Sequence, residues 1–117
     1  MDLPNPRFWE FLDHFVEHCP IIVDRPKGWT HPKYPSVIYP VNYGYLENTT
    51  SMDGNGIDVW VGTEQRRGIV GIFCTLDLLK KDSEIKIALD CTPDELQEIK
   101  NFHNSDYMQC LFIPKAD

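Results

Sequence analysis

A single α+β domain, with a strongly curved sheet or small barrel packed by two helices, is predicted by three features of this sequence. Two segments, one at the start and one in the C-terminal half, carry helical spacing of apolar residues behind a capping residue and a proline. Between and after them lie several short runs with strand character, separated by Gly, Pro, Asn and Asp turns. The 117 residues suffice for one modest core and are too few for two, and no repeat, low-complexity stretch or linker divides residues 1–117.

The first helix is expected over residues 6–18. Asn5 can cap it, Pro6 suits the first helical position, and Phe8, Phe11, Leu12, Phe15 and Val16 form one apolar stripe before Pro20 ends it. A strand follows at Ile21–Arg25. Residues 26–35 are too punctuated by proline for regular structure. Short strands are expected at Val37–Tyr39 and Tyr43–Leu46, around a Pro-Val-Asn bend. A loop over residues 47–56 leads to a strand at Ile57–Gly62. Another covers Arg67–Leu76, where Gly68 and Gly71 mark a bend or a close approach. Residues 84–89 alternate, with Ile85, Ile87 and Leu89 on one face and Glu84, Lys86 and Ala88 on the other. Thr92-Pro93-Asp94-Glu95 is a capping box that opens the second helix, which buries Leu96, Ile99 and Phe102 and ends near Asn104. A last strand is expected at Tyr107–Ile113.

Eleven basic against eighteen acidic side chains give a net charge of −7. Such a domain repels polyanions, which argues against nucleic acid and anionic membranes as partners. A small anion that arrives with divalent metals is not excluded, because a carboxylate cluster attracts it through those metals. Cys19, Cys74, Cys91 and Cys110 are scattered, with no CxxC pair. With no secretory signal in Met-Asp-Leu-Pro-Asn-Pro, they read as reduced, mostly buried thiols of a cytoplasmic protein. No apolar run approaches the ~20 residues of a membrane span.

The chemistry concentrates in two neighbouring stretches. In Asp53-Gly54-Asn55-Gly56-Ile57-Asp58, two aspartates flank a glycine-rich turn, and the second opens a strand. Carboxylates so placed can converge on one hard cation such as Mg²⁺. The same residues are also ordinary turn formers. Upstream, Tyr39-Pro40-Val41-Asn42-Tyr43-Gly44-Tyr45 supplies phenols able to donate to an oxyanion, or simply to pack in strands. Further along, Asp82, Glu84 and Lys86 share one side of a strand. A solvated strand face is the alternative, most of all for Asp82. His14 and His18 lie one helical turn apart, an arrangement that is more often just solvated than metal-binding.

Together these stretches resemble the soluble, magnesium-dependent inorganic pyrophosphatases, from about Ile21 to Lys86. That family carries a D-x-D-x-x-D core preceded by a Y-P-x-N-Y-G-Y run, in this order and at near this spacing. The resemblance implies a barrel of the OB type, hydrolysis of inorganic pyrophosphate to two phosphates, and Mg²⁺ as cofactor, with Mn²⁺ as a substitute. It implies Asp53 and Asp58 as metal ligands, joined by Glu84 or Asp82, with Asp77 a second candidate for the more distant carboxylate. Arg25, Tyr39, Tyr43 and Lys86 would hold the pyrophosphate or phosphate, and the family's dimers and hexamers imply a homo-oligomer.

The departure from the pattern is Asn55, which stands where the family has its central aspartate. Asn55, Asp58 and Tyr43 are thus the expected reacting centre, with an amide where a carboxylate could take a proton. Loss of a general base costs ~10²–10⁴-fold in rate. The family's Tyr-Lys pair on its last helix, and its N-terminal lysine and glutamate, have no counterpart here. Two alternatives to a working pyrophosphatase follow: a relative that binds metal and phosphate with impaired turnover, and a hydrolase of another small phosphoanhydride.

Overall fold

Asn5 and Pro6 start the first helix as their chemistry dictates. In the computed structural model, which describes residues 5–116, α1 runs Pro6–His18 and the Asn5 side chain accepts from the Phe8 amide at 3.2 Å. Residues 1–4 and 117 lie outside that range, and with them the reading of the N-terminus as lacking a signal. The stripe that α1 buries is Trp9, Leu12 and Val16. Phe8, Phe11 and Phe15 remain exposed, a correction to the expected apolar face. The two stripes sit about a quarter turn apart on the helix, and Trp9 brings the larger surface to the sheet.

The chain continues as β1 (Ile21–Arg25), β2 (Asn42–Leu46), β3 (Ile57–Val61), β4 (Ile69–Asp77), β5 (Asp82–Leu89), α2 (Pro93–His103) and β6 (Met108–Pro114). The strands form one sheet in the order β1-β2-β3-β5-β4-β6. The β3–β5 pair is parallel, and the other neighbours are antiparallel. Register shifts at Val23/Arg25 and Ile69/Gly71 add local twist to β1 and β4. This is the small α+β, OB-like fold that the sequence implied.

Alternation divides the sheet into two faces. One carries Leu46, Val59, Ile72 and Ile87 against Trp9 and Leu12 of α1. The other carries Tyr43, Trp60, Phe73 and Ala88 against Ile99 of α2. The Thr92–Glu95 capping box forms in both directions, which fixes where α2 starts over this second face. Gly44 allows β1 and β2 to approach, since a Cβ there would lie 1.8 Å from the Ile22 carbonyl oxygen.

Most elements lie within two residues of their expected bounds. The strand expected at Val37–Tyr39 is a correction, because only Ile38 pairs, with Thr30, as an isolated bridge. Pro35 and Pro40 flank it, and a proline cannot donate to a ladder. The strand expected at Arg67 starts instead at Ile69, after Gly68 takes a positive φ of 83°. All four cysteines are free. No helix among the described residues is long and apolar enough to cross a membrane.

Candidate functional site

Three strands meet on the α2 face of the sheet and bring their polar side chains to one point. Asp58 of β3 lies between two residues that pack with the other face, so its carboxylate projects with Trp60. Its antiparallel neighbour on β2 is Tyr45, and its parallel neighbour on β5 is Lys86. Tyr43 and Glu84 each sit two residues along their strands, on the same face. The Lys86 ammonium donates to all three groups around it: Tyr43 Oη at 2.7 Å, Asp58 Oδ2 at 2.8 Å and Glu84 Oε2 at 3.1 Å. Its three protons are thereby used.

Burial shapes the charges here. It disfavours the Lys86 cation, but Tyr43 and Asp58 outweigh that and raise its pKa, so the lysine stays charged. Burial raises Tyr43, which stays a neutral phenol. Burial also opposes ionisation of Asp58, yet the hydrogen bond from Glu84 and the Lys86 charge hold its carboxyl below the ordinary range. Glu84 is raised, by that same hydrogen bond and then by burial. The two carboxyls therefore ionise in sequence, Asp58 before Glu84. Replacing Lys86 with methionine removes the cation bonded to both members of the pair. The pH at which the pair ionises should then rise by ~1–3 units, read from side-chain carboxyl NMR signals across a pH titration. An unchanged titration would mean that Lys86 does not set the pair's charge.

The outer wall comes from the end of β1 and from the loops. The Arg25 guanidinium lies 5.1 Å from the Trp29 ring centroid and 5.5 Å from that of Tyr39, and donates to the Tyr39 hydroxyl. Tyr39 is buried and touches the Tyr43, Trp60 and Phe102 rings. On the loop before β3, Gly54 takes a φ of 86°. Asp53 Oδ1 accepts there from Ser51 Oγ at 2.6 Å and from the Asn55 amide at 2.9 Å. Those bonds hold the Asp53 carboxyl below its ordinary range. The turn reading of this segment is thus realised in its backbone, while its side chains face a cleft.

That cleft, about 1240 Å³, is lined by Arg25, Tyr39, Tyr43, Asp53, Asn55, Asp58, Glu84 and Lys86. Asp82 is not among its walls, although it shares the strand face with Glu84. Its cross-strand partner Asp77 does line the cleft. Asp77 Oδ1 is occupied by the amides of Leu79 and Lys80, at 2.9 and 3.0 Å, in the turn between β4 and β5.

Among the described residues no group of three or more His, Cys, Asp or Glu side chains is placed to hold a metal ion. The Asp58 and Glu84 carboxylates nevertheless fit a hard cation: both sit against Lys86, and their paired negative charge exceeds what that one ammonium neutralises. Mg²⁺ suits such a seat, because it commonly takes one or two carboxylates and fills its other positions with water and substrate oxygens. His14 and His18 stack on each other at 4.1 Å on the exposed side of α1 and join no other ligand type.

Among the cleft residues that went unread in the sequence is one buried histidine. His103 is buried at the end of α2, and its Nε2 accepts from the Trp60 indole N–H at 3.1 Å. An indole nitrogen only donates, so the ring proton sits on Nδ1, which finds no partner among the described residues. Burial, then the Lys86 charge, lower its pKa to about 3. The ring is a neutral prop beneath the site. The signal lay in a pairing across 43 residues, which periodicity does not carry.

A sequence model of a family described as inorganic pyrophosphatase matches residues 23–112. The chain also resembles the crystal structure of an inorganic phosphatase from Anaplasma phagocytophilum, with a TM-score of 0.55 and 17% identity, covering 80% of this chain and 81% of that one. At that identity the likeness concerns the fold. No curated protein sequence matches.

Proposed function

Since the chain belongs to the inorganic pyrophosphatase family, we propose that it hydrolyses inorganic pyrophosphate to two phosphates, with Mg²⁺ as cofactor and Mn²⁺ as a substitute. The observation that carries the reading is the Lys86 ammonium, bonded at once to Asp58, Glu84 and Tyr43 at the floor of a cleft that Arg25 also lines. This arrangement offers cations for phosphoryl oxygens and carboxylates for a metal and a proton within one concavity.

Asp58 and Glu84 would hold the metal, with Asp53 approaching from the loop. When bound, the metal supplies positive charge and lowers the pKa of a coordinated water. Arg25 offers two parallel donors to phosphoryl oxygens, and its seat over Trp29 and Tyr39 keeps that fork oriented. Lys86 offsets charge on the oxygens nearest the sheet. Tyr43, neutral throughout, positions rather than transfers. Glu84 is the better proton acceptor of the carboxylate pair, since its raised pKa brings it closer to neutrality than Asp58. Asn55 orients through its amide and takes no proton.

The test is phosphate release from pyrophosphate at neutral pH with Mg²⁺. Release is expected with Mg²⁺ and with Mn²⁺, and its abolition by a chelator. No release with either metal overturns the reading. It would favour a ligand-binding relative, for which Asn55 and the missing third carboxylate are the motivating observations.

A further inference from the structure

The cleft is larger than pyrophosphate needs. Pockets that enclose whole drug-sized molecules measure roughly 300–1,000 Å³, and this one is about 1240 Å³. Asp58, Glu84 and Lys86 form its floor and Arg25 and Asp53 its outer wall, with Asp24, Asp77 and Lys80 also lining it. Apolar and aromatic groups stand on two of its borders: Tyr34, Val37 and Ile38 from the loop between β1 and β2, and Phe102, Tyr107 and Met108 from the end of α2 through the start of β6. These borders lie toward opposite ends of the strand order. Tyr34, Ile38 and Tyr107 are 61%, 56% and 42% exposed, so they face the cleft without serving the core. Pyrophosphate, a small polyanion, gains nothing from them.

The Tyr34 border is built in advance. Its ring packs on His31 at 5.0 Å, and His31 packs edge-on against Trp29 at 5.9 Å. The loop is pinned by Val37 N to Tyr34 O at 2.8 Å, by His31 N to Val37 O at 3.1 Å, and by the Thr30–Ile38 bridge. A flat ring meeting this platform would lose little further freedom from the protein side.

We propose that this cleft accepts phosphoanhydrides carrying an aromatic substituent, of which nucleoside diphosphates are the simplest class, with the ring against Tyr34 or Tyr107 and the diphosphate over Lys86 and Arg25. The inference rests on the hydrolase reading above and widens its substrate. In the step, a water oxygen bonds to the terminal phosphorus while the bridging P–O bond breaks. The electron pair leaves on the bridging oxygen, now part of a nucleoside monophosphate, and the water proton passes to Glu84 and then to solvent. Nothing is oxidised or reduced.

The experiment compares phosphate release from pyrophosphate and from ADP, with Mg²⁺, for the full chain and for Tyr34→Ala and Tyr107→Ala. ADP should be hydrolysed, and one or both variants should lose about tenfold in kcat/KM for ADP, mostly through KM, as expected when base stacking is removed. Pyrophosphate turnover should stay within about twofold, as for surface changes away from the reacting groups. Pyrophosphate turnover without ADP turnover overturns this inference and leaves the family activity standing. So does an equal loss for both substrates in both variants. If neither substrate is hydrolysed, the hydrolase reading fails, and calorimetry with Mg²⁺ and ADP decides the rest. Binding weakened about tenfold by Tyr34→Ala or Tyr107→Ala keeps the aromatic site, and no binding ends it.

Discussion

Asp58→Ala should lower phosphate release from pyrophosphate by about 10²–10⁴-fold. Two losses combine. The carboxylate that would share the metal with Glu84 disappears, and the hydrogen bond that raises the Glu84 pKa disappears with it. Glu84 then titrates lower and becomes a weaker proton acceptor at neutral pH. Lys86 keeps Tyr43 and Glu84 as partners, so the buried ammonium is not orphaned and the fold should survive. A thermal melt monitored by circular dichroism checks this. Asp82→Ala is the matched control: it removes a carboxylate from the same sheet face but outside the cleft, and should leave the rate within about twofold. A variant at Asp58 that keeps a third or more of the rate, or an Asp82 variant that falls as far, would remove Asp58 from the reacting centre.

Both helices were legible because their signals are local. Asn5 with Pro6, and Thr92 through Glu95, close hydrogen bonds within one turn, and nothing distant has to cooperate. The face of α1 was not legible, since Trp9 and the phenylalanines compete for the same sheet and only packing decides between them. The strand at residues 37–39 failed because β propensity was read without the two prolines that deny it a ladder. The placing of Tyr43, Asp58, Glu84 and Lys86 in one site was implied by the family resemblance, and strand alternation by itself joined only Glu84 and Lys86 on one face. The separation of Asp82 from the cleft depends on how the β4–β5 hairpin ends, where Asp77 is the residue turned inward. His103 depends on a tertiary contact with Trp60, and no pattern in the sequence points to it.

Asn55→Asp should raise phosphate release, by about tenfold or more and toward the ~10²–10⁴ that a well-placed general base contributes. The loop tolerates the change because the backbone of Asn55 carries its turn: its amide donates to Asp53, and its carbonyl accepts from the Ser51 amide at 2.7 Å and from the Ser51 hydroxyl. The new carboxylate would line the cleft beside Asp53. At that exposed site the repulsion between them is screened and modest. It has a second consequence, since crowding of like charge is relieved by a divalent cation. The variant should therefore reach half-maximal rate at lower Mg²⁺ than the parent. The two readouts separate two causes. A gain in rate with a lower Mg²⁺ requirement means that the missing carboxylate limits the metal seat. A gain at unchanged Mg²⁺ dependence means that the introduced carboxylate takes the proton that Glu84 otherwise accepts, and a further Glu84→Gln change should then cost less than it does in the parent. Parental rate and parental Mg²⁺ dependence together would show that position 55 faces the cleft without touching the reaction.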